Sequence, residues 1–284
     1  MKKMSKFHKS LATATVSVVL AAGFTSSASA SPLFDVTPTV GTTGELRPTF
    51  TADQIQGTSS DLLTLNNISK TFTGTGWVNF SGFVNAGTLL SAGTTGLNLG
   101  PGTTGYGLYL KFDLTGHYVP SPGVFGAKNS NYILDTLNFH VYTDPDNNTT
   151  FTQANAIPIS GPIINATVGG NTLADVNLGN GTLIAGVSGF DAQFGAFLNS
   201  TQNYTNTPLG DTFFTAPNPF YNVAFTAFNN TTQGVRKSKN GKFISITNAV
   251  GVIDFAKVPE PESLGLLGIG LLGMAVSLRR RKAK

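Results

Sequence analysis

Cysteine is absent from all 284 residues. That excludes disulfides and thiolate metal sites, so an exported fold must rest on its core alone. Charge is scarce as well: Asp, Glu, Lys and Arg make up 11% of the chain, alongside three histidines and one tryptophan. Catalytic constellations have little material to draw on. His117 and His140 stand in neither HExxH nor a zinc spacing. Ser188, in Gly186-Val187-Ser188-Gly189, departs from the G-x-S-x-G nucleophile elbow. The expectation is a non-enzymatic protein without a cofactor. No predominantly apolar run reaches the ~20 residues of a standard membrane helix; the two most apolar are Leu11–Phe24, with 14 residues, and Ser263–Leu278, with 16.

Both runs are flanked in telling ways. Lys2, Lys3, Lys6 and Lys9 precede the first, and Ala28-Ser29-Ala30 follows it. A basic start, a short apolar stretch and an A-x-A site at Ala28 and Ala30 define a secretory signal peptide over residues 1–30, cut by signal peptidase after Ala30. Pro259-Glu260-Pro261 precedes the second run, and Arg279, Arg280, Arg281, Lys282 and Lys284 close the chain. The prolines make an extended, exposed stop. As a helix the apolar run reaches about 24 Å, short of the roughly 30 Å hydrocarbon core but bridgeable by snorkelling arginines and local thinning. The basic block stays cytoplasmic by the positive-inside rule.

This order of elbow, Gly/Leu-rich helix and arginines, over residues 258–284, resembles the PEP-CTERM sorting signal of Gram-negative bacteria. Glu262 stands where that family more often has a small or hydroxyl residue. The resemblance implies that exosortase processes the chain near Pro259, Glu260 and Pro261, after transient anchoring in the inner membrane. It also implies a secreted or cell-surface location.

The two ends distort the charge balance. The whole chain is +4 with a pI near 9.2, but nine of its 18 Lys and Arg lie in the terminal segments. Residues 31–262 hold the other nine and all 14 acidic residues, a net charge of −5. The basic pI belongs to the targeting segments, and nucleic acid is not expected as a partner.

The body, residues 31–257, is rich in Gly, Thr and Asn, and Phe occurs 21 times in the chain. Tyr106–Tyr118 alternates apolar and polar residues with a period of two, as a half-buried strand does. Tyr132–Tyr142 reads as the next strand, with Ile133, Leu137, Phe139 and Val141 on one face and Leu134 on the other. Leu62–Phe72 and Trp77–Val84 read as a hairpin turning at Gly74-Thr75-Gly76, with Trp77 and Phe83 on one face and Val78 and Phe80 on the other. Further apolar runs include Thr182–Val187, Val223–Phe228 and Phe243–Phe255, and Asp191–Leu198 reads as a short helix. Many short strands between turn clusters indicate an all-β fold, a jelly-roll-like β-sandwich, flanked by the signal helix and the C-terminal transmembrane helix.

One cluster offers metal chemistry. Asp144, Asp146 and Asn148 have the spacing of the first half of a calcium loop, but Thr149 replaces the sixth-position Gly and Asn155 the twelfth-position Glu. An Asp-Pro-Asp-Asn turn is the other reading.

Short motifs in the body carry a second resemblance. Phe34-x-Val36-x-Pro38, the stretch Phe50-x-Ala52-Asp53-x-Ile55-x-Gly57, and Gly105-Tyr106-Gly107-Leu108-Tyr109 with Phe112 are similar to the flocculation-associated PEP-CTERM proteins. That resemblance implies a matrix protein that associates with exopolysaccharide or cell envelope and takes part in floc or biofilm formation. Amides and hydroxyls bond sugar OH groups while aromatic faces stack on rings, which suits a Thr-, Asn- and Tyr-rich body. The alternatives are a secreted carbohydrate-active hydrolase, which needs paired carboxylates across a cleft, and a structural surface-layer subunit, which needs an open strand edge.

Overall fold

The computed structural model describes residues 31–40, 45–99, 105–122, 128–165, 175–191, 195–230 and 234–257. The expected signal helix with Ala28 and Ala30, and the expected C-terminal helix with Pro259, Glu260, Pro261, Arg279, Arg280 and Arg281, lie outside these residues. Among the described residues no helix is long and apolar enough to cross a membrane.

Eight long strands carry the body: β1 (Gln54–Asn66), β2 (Thr71–Asn85), β3 (Gly107–Pro122), β4 (Lys128–Asp144), β5 (Val176–Asp191), β6 (Gly195–Asn206), β7 (Val223–Asn230) and β8 (Phe243–Ala256). Each pairs antiparallel with the next in the chain. β8 then returns to β1, with Phe243 opposite Thr64 and Asp254 opposite Gln54. The all-β expectation holds, but the jelly-roll sandwich does not: the eight strands close into one up-and-down barrel. Strand periodicity is local and carries no sign that the last strand meets the first. Closure leaves no free edge among these eight strands, so the open edge required of a surface-layer subunit is not formed by the barrel.

Eight strands enclose an interior just wide enough for side chains to fill. Here the filling follows a glycine–aromatic rule. Gly76 lies opposite Phe112, Gly116 opposite Phe72, Gly181 opposite Phe139, and Gly251 opposite Phe228. At each of these glycines an added methyl would fall inside van der Waals contact of the facing ring. The missing side chains make room for rings that would otherwise overfill the lumen. Gly74 and Gly76 therefore sit inside β2, and the expected turn at that point moves to residues 67–70. There the Asn66 side-chain oxygen accepts from the N–H groups of Ile68 and Ser69 at 3.0 and 3.2 Å.

Bulges correct two strand faces. Between β3 and β4 the register jumps from Thr115↔Thr136 to Gly116↔Leu134. The extra residue turns Leu134 into the core, 6% exposed, and Ile133 out, 39% exposed. Between β1 and β2 it jumps from Gln56↔Gly82 to Gly57↔Phe80. Phe80 and Phe83 are both buried as a result, with Trp77 on the opposite, outer face. Where a helix is expected over Asp191–Leu198, Asp191 and Gly195–Leu198 are strand instead: Asp191 ends β5 and pairs with Gly195, the first residue of β6.

One end of the barrel is closed by aromatic rings. A small sheet orders Phe214–Ala216, Phe34–Val36 and Phe50–Ala52 side by side. The Phe34 ring meets Phe255, at the end of β8, edge-on with 5.5 Å between centroids; Tyr204, near the end of β6, lies 5.0 Å from Phe255. A strap, residues 150–165, crosses the outside. Phe151 packs on Trp77 at 5.1 Å, Trp77 Nε1 donates to the Thr152 carbonyl at 3.1 Å, and the N–H groups of Ala154 and Ala156 donate to the hydroxyls of Ser60 and Ser245.

Candidate functional site

The strap roofs an open cleft of about 410 Å³ on the outer face of β2, β3 and β4. The barrel supplies Thr75, Gly76, Trp77, Lys111, Phe112, Asp113 and His140. Pro162 and Ile164 of the strap supply the opposite wall. Alternation on β3 and β4 sends Lys111, Asp113 and His140 outward while Phe112 and Phe139 fill the barrel. Asp113, His140 and Lys111 are each held by a neighbour. Asn138 Nδ2 donates to Asp113 Oδ2 at 3.1 Å, and His140 Nδ1 lies 2.5 Å from Asn180 Oδ1. The Lys111 ammonium lies 5.2 Å from the Tyr142 ring centroid and 6.0 Å from that of Tyr109, and the two rings stack at 5.2 Å. His117 pairs with Asp135 at 2.9 Å further along the same face. Among the described residues the cleft lining holds one carboxylate, Asp113, so the two-carboxylate geometry of glycoside hydrolysis is not formed there.

Above this cleft lies an acidic cluster. Asp144 and Asp146, 1% and 5% exposed, lie side by side. Burial and then the neighbouring Asp144 carboxyl push Asp146 up to about 6. Asp175 joins them. Burial raises its pKa, opposed by the Tyr109 hydroxyl, which donates to its Oδ2 at 2.5 Å. Asp175 lies some 30 residues downstream, and no spacing in the sequence linked it to the pair. Of the calcium-loop candidates, Asp144 accepts the Thr149 N–H at 2.7 Å, and Asn148 Nδ2 donates to Asp146 at 2.9 Å. These are the bonds of a folded turn. Among the described residues no group of three or more His, Cys, Asp or Glu is arranged to hold a metal ion.

Inside the barrel, Asp61 faces Ser59, Gln202 and Thr226 across a cavity of about 40 Å³. That is room for about three water molecules and no organic ligand. Gln202 Nε2 donates to Ser200 and, at 3.1 Å, to Thr226, while its Oε1 is buried without a partner. Burial pushes Asp61 up to about 7. Strand parity placed Asp61 among apolar neighbours only once the register was known, and sequence reasoning missed it.

The two ends of the body meet at the closed end of the barrel. Ser31 Oγ and Gln54 Nε2 both donate to Asp254 Oδ2, at 3.5 and 3.4 Å, and β8 ends two residues later at Ala256. Residues 257–282 match the PEP-CTERM protein-sorting motif. The match starts at the first residue after β8. The motif marks the chain as an exported, exosortase-processed surface protein, anchored transiently in a membrane. No curated protein and no solved structure matches the chain.

Proposed function

We propose that the barrel is the extracellular cargo of this sorting signal: a non-enzymatic matrix protein that associates with exopolysaccharide and helps hold cells in flocs or biofilm. Signal peptidase releases residues 1–30, and exosortase acts near Pro259-Glu260-Pro261 in the inner membrane of a Gram-negative host. The single observation that carries the reading is the sorting motif joined directly to the last barrel strand. The outer face of β2–β4, with its Thr, Asn and His side chains held in hydrogen bonds, supports the polysaccharide step. Such groups exchange hydrogen bonds with sugar hydroxyls at little cost in ordering. Native cells lacking the protein should lose part of their capsular or floc-bound polymer. The direct test is retention of the processed protein on exopolysaccharide purified from its own host. Retention in physiological salt is expected, and passage without delay would overturn the matrix role.

A further inference from the structure

We propose that the cleft under the strap is a subsite for a neutral pyranose unit of a polysaccharide chain. This rests on the exopolysaccharide reading and adds to it a place and a sugar class. A pyranose is amphipathic: hydroxyls project from the ring edge, and axial hydrogens make apolar patches on its faces. The cleft has the same division. Ile164 and Pro162 form an apolar wall, and Thr75, Lys111, Asp113 and His140 form a polar one.

The polar wall is sorted into donors and acceptors. Asp113 uses Oδ2 to hold Asn138, so Oδ1 is placed to accept from a hydroxyl. His140 meets a carbonyl oxygen, Asn180 Oδ1, through Nδ1. The neutral ring therefore carries its proton on Nδ1 and presents Nε2 as an acceptor. Lys111 brings an ammonium donor, steadied over the stacked rings of Tyr109 and Tyr142. Acceptors beside a donor match adjacent sugar hydroxyls, each of which both gives and takes a hydrogen bond. The volume of about 410 Å³ falls within the range of small-molecule sites.

Charge selects the neutral class. Among the described residues Lys111 is the one cation in the lining, and it is opposed there by Asp113. It also lies close enough to Asp175 to lower that carboxyl's pKa. No net positive charge remains for a uronate, and residues 31–262 carry −5.

The test measures binding of the processed protein to neutral hexose hexasaccharides (glucan, mannan and galactan) and to uronate hexasaccharides, together with retention on host exopolysaccharide. Asp113→Ala, Lys111→Ala and, outside the cleft, His117→Ala are compared with the parent. Binding of at least one neutral series is expected, weakened about ten- to hundredfold in D113A and K111A, because each loses a hydrogen bond to a charged group. H117A should bind as the parent does. Equal binding by D113A, K111A and the parent would overturn the cleft assignment while the matrix role stands. Binding confined to uronates would overturn the neutral class. Absence of binding to every sugar, including host polymer, would remove the matrix role and the subsite together.

Discussion

Substituting Gly251 with alanine should destabilise the protein by about 3 kcal/mol, lowering the thermal midpoint by roughly 6–12 °C for a body of this size. Gly251 sits on β8 at the seam where the barrel closes. A Cβ there would come within 2.5 Å of Phe228 Cδ1 and closer still to the Ala227 carbonyl oxygen. The ring can turn, but the carbonyl belongs to the β7 ladder and cannot move without opening the seam. Trimming Phe228 should therefore fail to rescue the variant. At Gly76 only side-chain atoms, chiefly the Phe112 ring, block a methyl, so shortening Phe112 should recover part of the loss in G76A. Gly161, on the strap, has nothing within 4 Å of its Cβ position, and G161A should lie within about 0.5 kcal/mol of the parent. Urea unfolding of the three glycine variants checks the series. Equal stability of G251A and G161A would mean that the seam is not closed as described.

The second large effect is a loss of stability with rising pH, centred on Asp61. Burial among Leu63, Val78 and Phe112 disfavours its charged form and raises its pKa from 3.8 to about 7. Between those values the folded chain keeps the proton and the unfolded chain does not. The contribution to stability is full below about pH 4, falls as pH rises, and is lost above pH 7. The total is on the order of 4 kcal/mol. Asp146, pushed up to about 6, has the same sign but is exhausted at lower pH. Denaturant midpoints at pH 5 and pH 8 should therefore differ strongly in the parent and much less in Asp61→Asn, with the variant the more stable at pH 8. An unchanged pH difference in D61N would contradict a buried, neutral carboxyl at this site.

Local signals are legible in the sequence, and signals that depend on register are not. The alternation read over Tyr106–Tyr118 falls within β3 from Gly107 onward, and the apolar run Phe243–Phe255 lies within β8, where a bulge between Thr247 and Ala249 shifts the buried parity from Ile244 and Ile246 to Ala249, Ile253 and Phe255. Leu134 and Phe83 lie on the face opposite to the one strand alternation predicts, because a single bulged residue reverses parity and no residue type announces a bulge. Gly74 and Gly76 looked like a turn because glycine serves both turns and tight cross-strand packing. Only their partners, Leu114 and Phe112, tell the two uses apart. Closure into a barrel depends on β8 meeting β1 across nearly 200 residues, which no local pattern reports. The sorting signal was legible for the opposite reason: its three parts are contiguous, and residues 257–282 match the motif as a unit. The outer cleft needed the fold, because Lys111, His140 and Ile164 come from three separate segments.

The central claim is that the chain is exported and cut at both ends, leaving the barrel outside the cell. Intact mass of the protein recovered from its native cells, in both cell-bound and released fractions, tests this directly. The account predicts a chain that begins at Ser31 and ends near Glu262, with any excess mass arising from an attached envelope or glycan group. A mass that runs through to Lys284 would contradict it, because the C-terminal segment would then be a permanent anchor.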